Sequence, residues 1–440
     1  MFVYNLRLAL KGIRRNPVLS ALMVAAIGIG IGVCMTAITV YYLMSDDPIP
    51  HKSNKLFAVQ LNSWEAPGPY DLEDPTRMPE LLSYTDAKNL LASAPAARQL
   101  AMYRSGATVE PDNPDLNPQL SLIRFTSGDF FSMFDVPFLY GSGWDAGADR
   151  DASEVAVLSF EMNEQLFGGE NSVGKTITLN SRIIRVIGVL QHWEPMPRFY
   201  AAFNGAFQGT DDIFMPLLVN ESWQLQNFGN TECWGDEPIE GFEGFLDSEC
   251  NWMEYWAELP TADDQERYLN WLSAYVAEQK RLGRFPIENA TGAIRDVLEW
   301  MDYNRVVSTD FKVLIGLAFM FLAVCLLNTI ALLLAKISGD AARIGLFRAL
   351  GASKAAIFRQ NLVEVGIIGV AGGTFGLLLA MLGLWGVRAV NLGHYDRLAT
   401  LNGTLVAFAI AISIVAAIVA GLYPTWRICQ ISPATYLKTQ

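Results

Sequence analysis

The chain has 440 residues, 51% of them hydrophobic, with 32 Lys+Arg against 45 Asp+Glu and a formal net charge of −13. Only 18% of residues are charged, which excludes a disordered, self-repelling polymer. The acidic balance, with no basic patch, excludes a nucleic-acid binder that works by phosphate neutralisation.

Phe2, Leu6, Leu10 and Ile13 recur at helical spacing, while Arg7, Lys11, Arg14 and Arg15 fall on another face. Residues 1–17 are therefore expected to form an amphipathic helix on the inner membrane surface, ending at Asn16-Pro17. Four uncharged runs follow: Val18–Met44 (27 residues), Val313–Ala335 (23), Val365–Val387 (23) and Leu398–Trp426 (29). Each exceeds the roughly 20 apolar residues needed to cross a bilayer core. The first is longer than the apolar region of a signal peptide and lacks a convincing cleavage site, so it reads as a retained anchor. The expected fold class is membrane α-helical, with four transmembrane helices and a large α+β periplasmic domain inserted between helices 1 and 2. The spans are placed at 18–44, 311–335, 365–387 and 401–426. The domain occupies 45–310, a coupling loop 336–364, a short periplasmic loop 388–400 and a cytoplasmic tail 427–440.

Lys and Arg mark the cytoplasmic loops. Arg7, Lys11, Arg14 and Arg15 precede the first span, and Lys336, Arg343, Arg348, Lys354 and Arg359 separate the second and third, facing Asp340 and the boundary residue Glu364. Arg427 and Lys438 follow the fourth. The insertion holds 18 Lys+Arg and 42 Asp+Glu, so an acidic outside is tethered to a basic inside. The termini are expected on the cytoplasmic side of the membrane. The runs contain glycines, notably Gly28, Gly30, Gly32, Gly366, Gly369, Gly372, Gly373 and Gly376, but no Asp, Glu, Lys, Arg or His. That counts against an ion-coupled carrier or a charged channel filter.

Within the insertion, Leu56–Leu61 reads as a strand, Leu81–Leu91 as a helix and Leu120–Phe125 as a strand. Ser127-Gly128-Asp129 introduces a short helix carrying Phe130, Phe131 and Met133. Val155–Leu158 is a strand, Phe160–Phe167 a helix, and 176–179 with 183–190 a hairpin around Asn180-Ser181. From Trp193 to Trp300 the character changes: seven of the eleven tryptophans lie there. Two subdomains are expected, an α+β one at about 52–200 and a Trp-rich acidic one at about 201–300. Asp263–Arg281 reads as a helix, 231–251 as an irregular loop, and Asp296–Tyr303 as the start of a helix running into the second span.

Gly169–Thr176 matches the phosphate-loop expression G-x-x-x-x-G-K-[ST]. The chemistry needs a strand before and a helix after; here the order is reversed, so the segment reads as a turn. Cys233 and Cys250, seventeen positions apart, are expected to pair in an oxidising compartment, closing a loop worth about 3 kcal/mol. His51, His192 and His394 stand alone in sequence, with no zinc spacing. No nucleophile or metalloprotease motif is present, and acid pairs such as Asp211-Asp212 and Asp263-Asp264 read as solvated faces.

Arg343-Ile344-Gly345-Leu346-Phe347-Arg348-Ala349-Leu350-Gly351-Ala352, with Glu364 after it, resembles the R-x-I-G-x-x-[RK]-A-[LI]-G-A signature of MacB-like ABC permeases, the group that includes FtsX and LolC/LolE proteins. Gly421-Leu422-Tyr423-Pro424 with Ser432-Pro433-Ala434, the start Ala9–Pro17, and Ser127–Phe131 with Val155–Leu190 are similar to other segments of that family. Departures are Ala342-Arg343 where Arg-Glu is usual and Thr425-Trp426 where a small pair is usual. The resemblance implies a non-catalytic permease, dimeric as a homo- or heterodimer, with no cofactor of its own. ATP would be bound by a partner ABC ATPase subunit, and ATP-driven motion carried to the outer domain through the first two spans. Arg343, Ile344, Leu346, Phe347, Arg348, Leu350, Gly351 and Ala352 are the residues it assigns to ATPase coupling, with Ile344–Ala352 as the contacting helix. Export with a periplasmic adaptor and an outer-membrane channel, lipoprotein or lipid extraction, and regulation of a periplasmic hydrolase stay open. A membrane-bound sensor is the alternative of a different class.

Overall fold

The computed structural model describes residues 2–64, 69–111, 117–233, 239–287, 290–390 and 403–429. The chain divides into two compact units: one spans Asp46–Val306, and the helices on either side of it in sequence make the other.

In the helical unit, α1 (Phe2–Arg15) and α2 (Pro17–Ser45) are separated at Asn16. Proline fits the first turn of a helix but cannot continue the preceding one, which is why the two helices part there.

The unit 46–306 runs in chain order as β1 (Leu56–Leu61), β2 (Leu82–Ser83), α3 (Tyr84–Ser93), β3 (Arg98–Glu110), β4 (Gln119–Thr126), α4 (Asp129–Met133), β5 (Phe138–Gly141), α5 (Ala146–Arg150), β6 (Val155–Leu158), α6 (Phe160–Phe167), β7 (Thr176–Leu179) and β8 (Arg182–Leu190). A 3₁₀ turn at Phe199–Ala201 leads to β9 (Ile213–Pro216), α7 (Val219–Trp223), α8 (Gly241–Asp247), β10 (Asn251–Glu258), α9 (Ala262–Arg281), β11 (Gly292–Asp296) and α10 (Val297–Tyr303). Among the described residues these strands form one mixed sheet in the order β11-β1-β10-β3-β4-β9-β6-β8-β5, with β2 on β10 and β7 joining β3 and β8.

Both faces of the sheet are buried. In β1, Phe57, Val59 and Leu61 enter one core while Leu56 and Ala58 enter the other, as the two-residue strand period requires. The expected split near residue 200 is therefore corrected: 46–306 is one unit. The reason is β10, which lies between β1 and β3 and is buried along its whole length. Its tryptophans are core residues. Trp252 stacks on Tyr84 and Phe245, and Trp256 meets Phe134, Phe199 and Trp300 edge-on.

Local signals set the helix ends. Ser159 caps α6 by accepting from Met162 N, and Gly168 ends it at φ +63°. Thr261 with Asp264 and Asp296 with Glu299 make capping boxes at α9 and α10, each satisfying orphan backbone donors. The β7–β8 hairpin turns on Asn180 (φ 45°) and Ser181 (φ 65°), the paired left-handed residues that match strand twist. The expected continuation of Asp296–Tyr303 into the second span is corrected, because α10 stops at Asn304 and Arg305 adopts φ 51°. The 231–251 stretch is not wholly irregular, since it contains α8. Residues 234–238 lie outside the described residues.

The phosphate-loop lookalike is a turn between α6 and β7. The helix precedes it and the strand follows, so the loop does not lead into a helix N-terminus. Lys175 lies 3.5 Å from Glu170 and over the Phe167 ring at 5.0 Å.

The chain leaves α10 and enters α11 (Thr309–Ala349), α12 (Lys354–Val390) and α13 (Gly403–Cys429). Among the described residues, three helices are long and apolar enough to cross a membrane: Pro17–Ser45, Thr309–Lys336 and Lys354–Gly386. Helix α13 carries a shorter apolar stretch, Ile410–Trp426. The expected loop 388–400 and the tail from 430 onward fall mostly or wholly outside the described residues.

Candidate functional site

The helical unit is organised around α2. Its glycines fall at every second position, and the helical turn sends Gly28 and Gly32 toward α12 and Gly30 toward α11. A methyl on Gly28 would meet Phe375 and the Gly372 carbonyl, and one on Gly32 would meet Leu379 and the Gly376 carbonyl. Gly376 approaches the Gly28 carbonyl in return, at 2.9 Å from an ideal Cβ position. Gly28-x-x-x-Gly32 and Gly372-x-x-x-Gly376 thus interlock, bringing the α2 and α12 backbones together. Close packing of this kind drives helix association where lipid removes the hydrophobic effect. On its other side α2 meets α11: Gly30 faces Leu322 and Cys325, and Cys34 Sγ donates to the Ala318 carbonyl at 3.2 Å.

At one end of this packing sits a buried charged node. Lys336 of α11 donates to Glu364 of α12 at 2.5 Å and to Ser20 of α2 at 3.1 Å. Lys336 is 5% exposed and Glu364 9%. Helix α1 seals it, because Gly12 leaves room for the Glu364 carboxylate, 2.8 Å from where a Cβ would stand. Four helices therefore converge on one ion pair. The sequence placed Lys336 and Glu364 at the ends of a 336–364 loop. That reading is corrected. Helix α11 continues without interruption to Ala349 and α12 starts at Lys354, so the segment is two helix ends and a turn. Lys336, Ala341, Ala342 and Leu346 favour helix strongly enough to offset Gly339 and Gly345 in this run, and the helix ends only ahead of the left-handed Gly351.

The turn closes as a Schellman motif. Gly351 takes φ +97°, and Ala352 N donates to the Phe347 carbonyl at 3.0 Å. Glycine tolerates that conformation without a Cβ penalty. Ser353 then caps α12 by accepting from Ala356 N at 3.2 Å. Of the residues expected to couple to an ATPase, Leu346, Phe347 and Leu350 are exposed at 50%, 39% and 76%. Gly351 and Ala352 form the turn. Arg343, Ile344 and Arg348 belong to α11; their side chains lie outside the described residues. The site missing from the sequence reading is the Lys336–Glu364–Ser20 node. The available signal was a charge at each edge of two apolar runs.

In the other unit, the best-defined polar cluster is also buried. Asp211 accepts from Arg104 at 2.6 Å and from Arg124 at 2.8 Å. Arg124 also pairs with Glu254, whose other oxygen accepts from Asn204 at 2.7 Å. Burial would lower the Arg124 pKa, but Asp211 and Glu254 raise it above the ordinary arginine value. Burial pushes the Glu254 carboxyl up, opposed by Arg124. The reading of Asp211-Asp212 as a solvated face is corrected: Asp211 is fully buried. Asp212 accepts from Leu122 N at 2.8 Å. Cys233 and Cys250 are joined as a disulfide with Cα atoms 4.4 Å apart.

Residues 20–243 match the MacB-like periplasmic core domain, and residues 315–433 match the FtsX-like permease C-terminal domain. The chain belongs to the MacB-like ABC permease family. The core-domain match alone covers half the chain, and the turn at Gly351–Ala352 lies inside the second match. Residues 244–314 fall between the two, yet they supply β10 and β11 to the sheet. The chain is 22% identical over 329 residues to the macrolide export ATP-binding/permease protein MacB of Acinetobacter baylyi, covering 74% of this chain and 43% of that protein. It is 23% identical over 313 residues to the pyoverdine export ATP-binding/permease protein PvdT of Pseudomonas syringae (71% and 42%). It is 20% identical over 353 residues to the uncharacterized ABC transporter permease YvrN of Bacillus subtilis (79% and 77%). The chain thus spans about half the length of the MacB and PvdT relatives. Among solved structures, it is similar to the periplasmic region of MacB from Actinobacillus actinomycetemcomitans, at 12% identity and a TM-score of 0.35, over 57% of this chain and 92% of that one. It is also similar to the extracellular domain of the ABC-type transporter YknZ from Gram-positive bacteria, at 11% identity and a TM-score of 0.33, over 55% and 100%. Membrane-capable helices with a MacB-like domain make this MacB-like permease a multi-pass membrane protein.

Proposed function

We propose that this MacB-like permease converts ATP hydrolysis by a partner ABC ATPase into motion of its 46–306 domain, in the service of export or extrusion. The observation that carries this is α11. It is one helix of 41 residues, roughly 60 Å long at 1.5 Å per residue. It joins the exposed apolar end at Leu346, Phe347 and Leu350 to the membrane-embedded run with no joint between. A push at the basic end therefore moves the whole second span. The node at Lys336 binds that lever to α2, the other helix leading into the 46–306 domain. The charge-free runs offer no polar path for substrate, which also favours motion over passage.

In this reading α13 is the fourth span, the termini are cytoplasmic in a bacterial inner membrane, and the 46–306 domain is periplasmic. The chain itself is non-catalytic. A second permease copy covers part of the apolar surface of α11 and α12, and lipid covers the rest. The names of the MacB and PvdT relatives favour export over lipoprotein extraction or hydrolase regulation. An adaptor and outer-membrane channel are partners of the export form.

Phe347→Asp is expected to abolish stimulated transport by the reconstituted complex while membrane insertion stays normal. Burying a charge at an apolar contact costs several kcal/mol. Wild-type coupling in that variant would remove the turn from the mechanism. We also propose that the Cys233–Cys250 bond forms in the native compartment. Non-reduced peptide mass spectrometry of protein from the envelope should find the linked pair, and recovery of both thiols free for alkylation would refute it.

A further inference from the structure

We infer that Glu161, His192 and Glu194 form a binding site for one divalent transition-metal ion of the zinc class. These residues are scattered in sequence, and the sheet brings them together. Strands β6 and β8 are parallel neighbours, with Leu158 opposite Val189, so both end at the same edge. Glu161 sits in the first turn of α6, just past the end of β6. His192 follows the end of β8 by two residues. Glu194 lies two residues further on, past a bend at His192.

The result is one ligand atom from each residue, all within 4.8 Å of one another. Zinc reaches its ligands at about 2.0–2.2 Å, so small side-chain rotations close a single ion among them. His192 already turns Nδ1 to the Glu161 carboxylate. Its ring packs edge-on against Phe160 at 6.2 Å between centroids, which limits its rotation. Asp212, at the adjoining end of β9, adds negative charge: Ser159 N, beside Glu161, donates to the Asp212 carbonyl at 2.9 Å. Burial raises the Asp212 carboxyl pKa, with Asp211 and Glu161 contributing.

The donor set decides the class of ion. One imidazole and two carboxylates suit zinc, whereas magnesium and calcium favour all-oxygen shells with more ligands. Three protein ligands leave a fourth position to water. Bound metal would tie the start of α6 to the segment leaving β8.

The test uses the purified full-length chain in detergent, dialysed against zinc chloride and assayed by elemental analysis and chelator competition. One zinc per chain is expected. His192→Ala should bind about tenfold more weakly or worse, since loss even of an outer-shell partner costs 10–100-fold. Glu161→Gln and Glu194→Gln should weaken binding too. His51→Ala, which removes another carboxylate-paired histidine (2.6 Å to Asp135), should not. Unchanged zinc in His192→Ala, or loss in His51→Ala, overturns the site. X-ray absorption of wild-type protein gives a second reading that no variant's misfolding can confuse. One imidazole among oxygen donors is expected, and an all-oxygen or sulfur shell refutes the assignment.

Discussion

Lys336→Ala should be the most damaging single substitution in the helical unit, destabilising it by about 3–5 kcal/mol. The lysine is buried between α2, α11 and α12, and its removal takes away the cation that Glu364 pairs with among the described ion pairs. Ser20 alone cannot replace a charge. Breaking a buried pair from one side is far worse than replacing both partners by apolar groups. The double variant Lys336→Met with Glu364→Leu should therefore recover much of the lost stability, measured as resistance to denaturant in mixed micelles. Transport should not recover with it. The pair joins the α11 lever to α2 and α12, and apolar side chains would let these helices slide. A Lys336→Ala protein that unfolds like wild type would mean the node is solvated. A double variant with full transport would leave the pair a structural role only.

How far the sequence could be read depends on how local each signal was. The strand Leu56–Leu61 and the helix Phe160–Phe167 coincide with β1 and α6, because each is bounded by its own turn chemistry. Strand β10 went unread, because Asn251–Glu258 mixes Trp, Tyr and two glutamates. Its burial comes from β1 and β3, which are distant in sequence. The same holds for Asp211: composition made it an unremarkable surface acid, and only β3, β4 and β10 lying side by side bring Arg104, Arg124 and Glu254 around it. The turn at Gly351–Ala352 is visible in the sequence as a glycine after a helical run. Its continuity with α11 is not visible there, since a charge marks the edge of an apolar run and not the end of a helix. His192 stood alone in sequence because Glu161 reaches it through the parallel pairing of β6 and β8.

Arg124→Met should unfold the 46–306 domain at a lower temperature than wild type, with a loss of about 3–5 kcal/mol near neutral pH. Arg124 is fully buried and serves both Asp211 and Glu254. Arg104 still reaches Asp211 in the variant, but among the described ion pairs Glu254 has no other cation. The loss should depend on pH, and the sign is fixed. Glu254 has a folded pKa raised above its ordinary value by burial, with Arg124 holding it down. Above the unfolded value and up to the folded one, the native state binds more protons than the unfolded state, so stability falls as pH rises through that window. Removing Arg124 raises the folded pKa further and widens the window. The deficit of the variant against wild type should thus shrink as pH drops from about 7 toward about 5, as a proton takes over the neutralisation of Glu254. Tryptophan fluorescence reports the transition directly, because Trp252 and Trp256 lie on β10 beside Glu254. An equal deficit at both pH values would show that Glu254 keeps its charge without Arg124, with Asn204 and its surroundings sufficient to hold it.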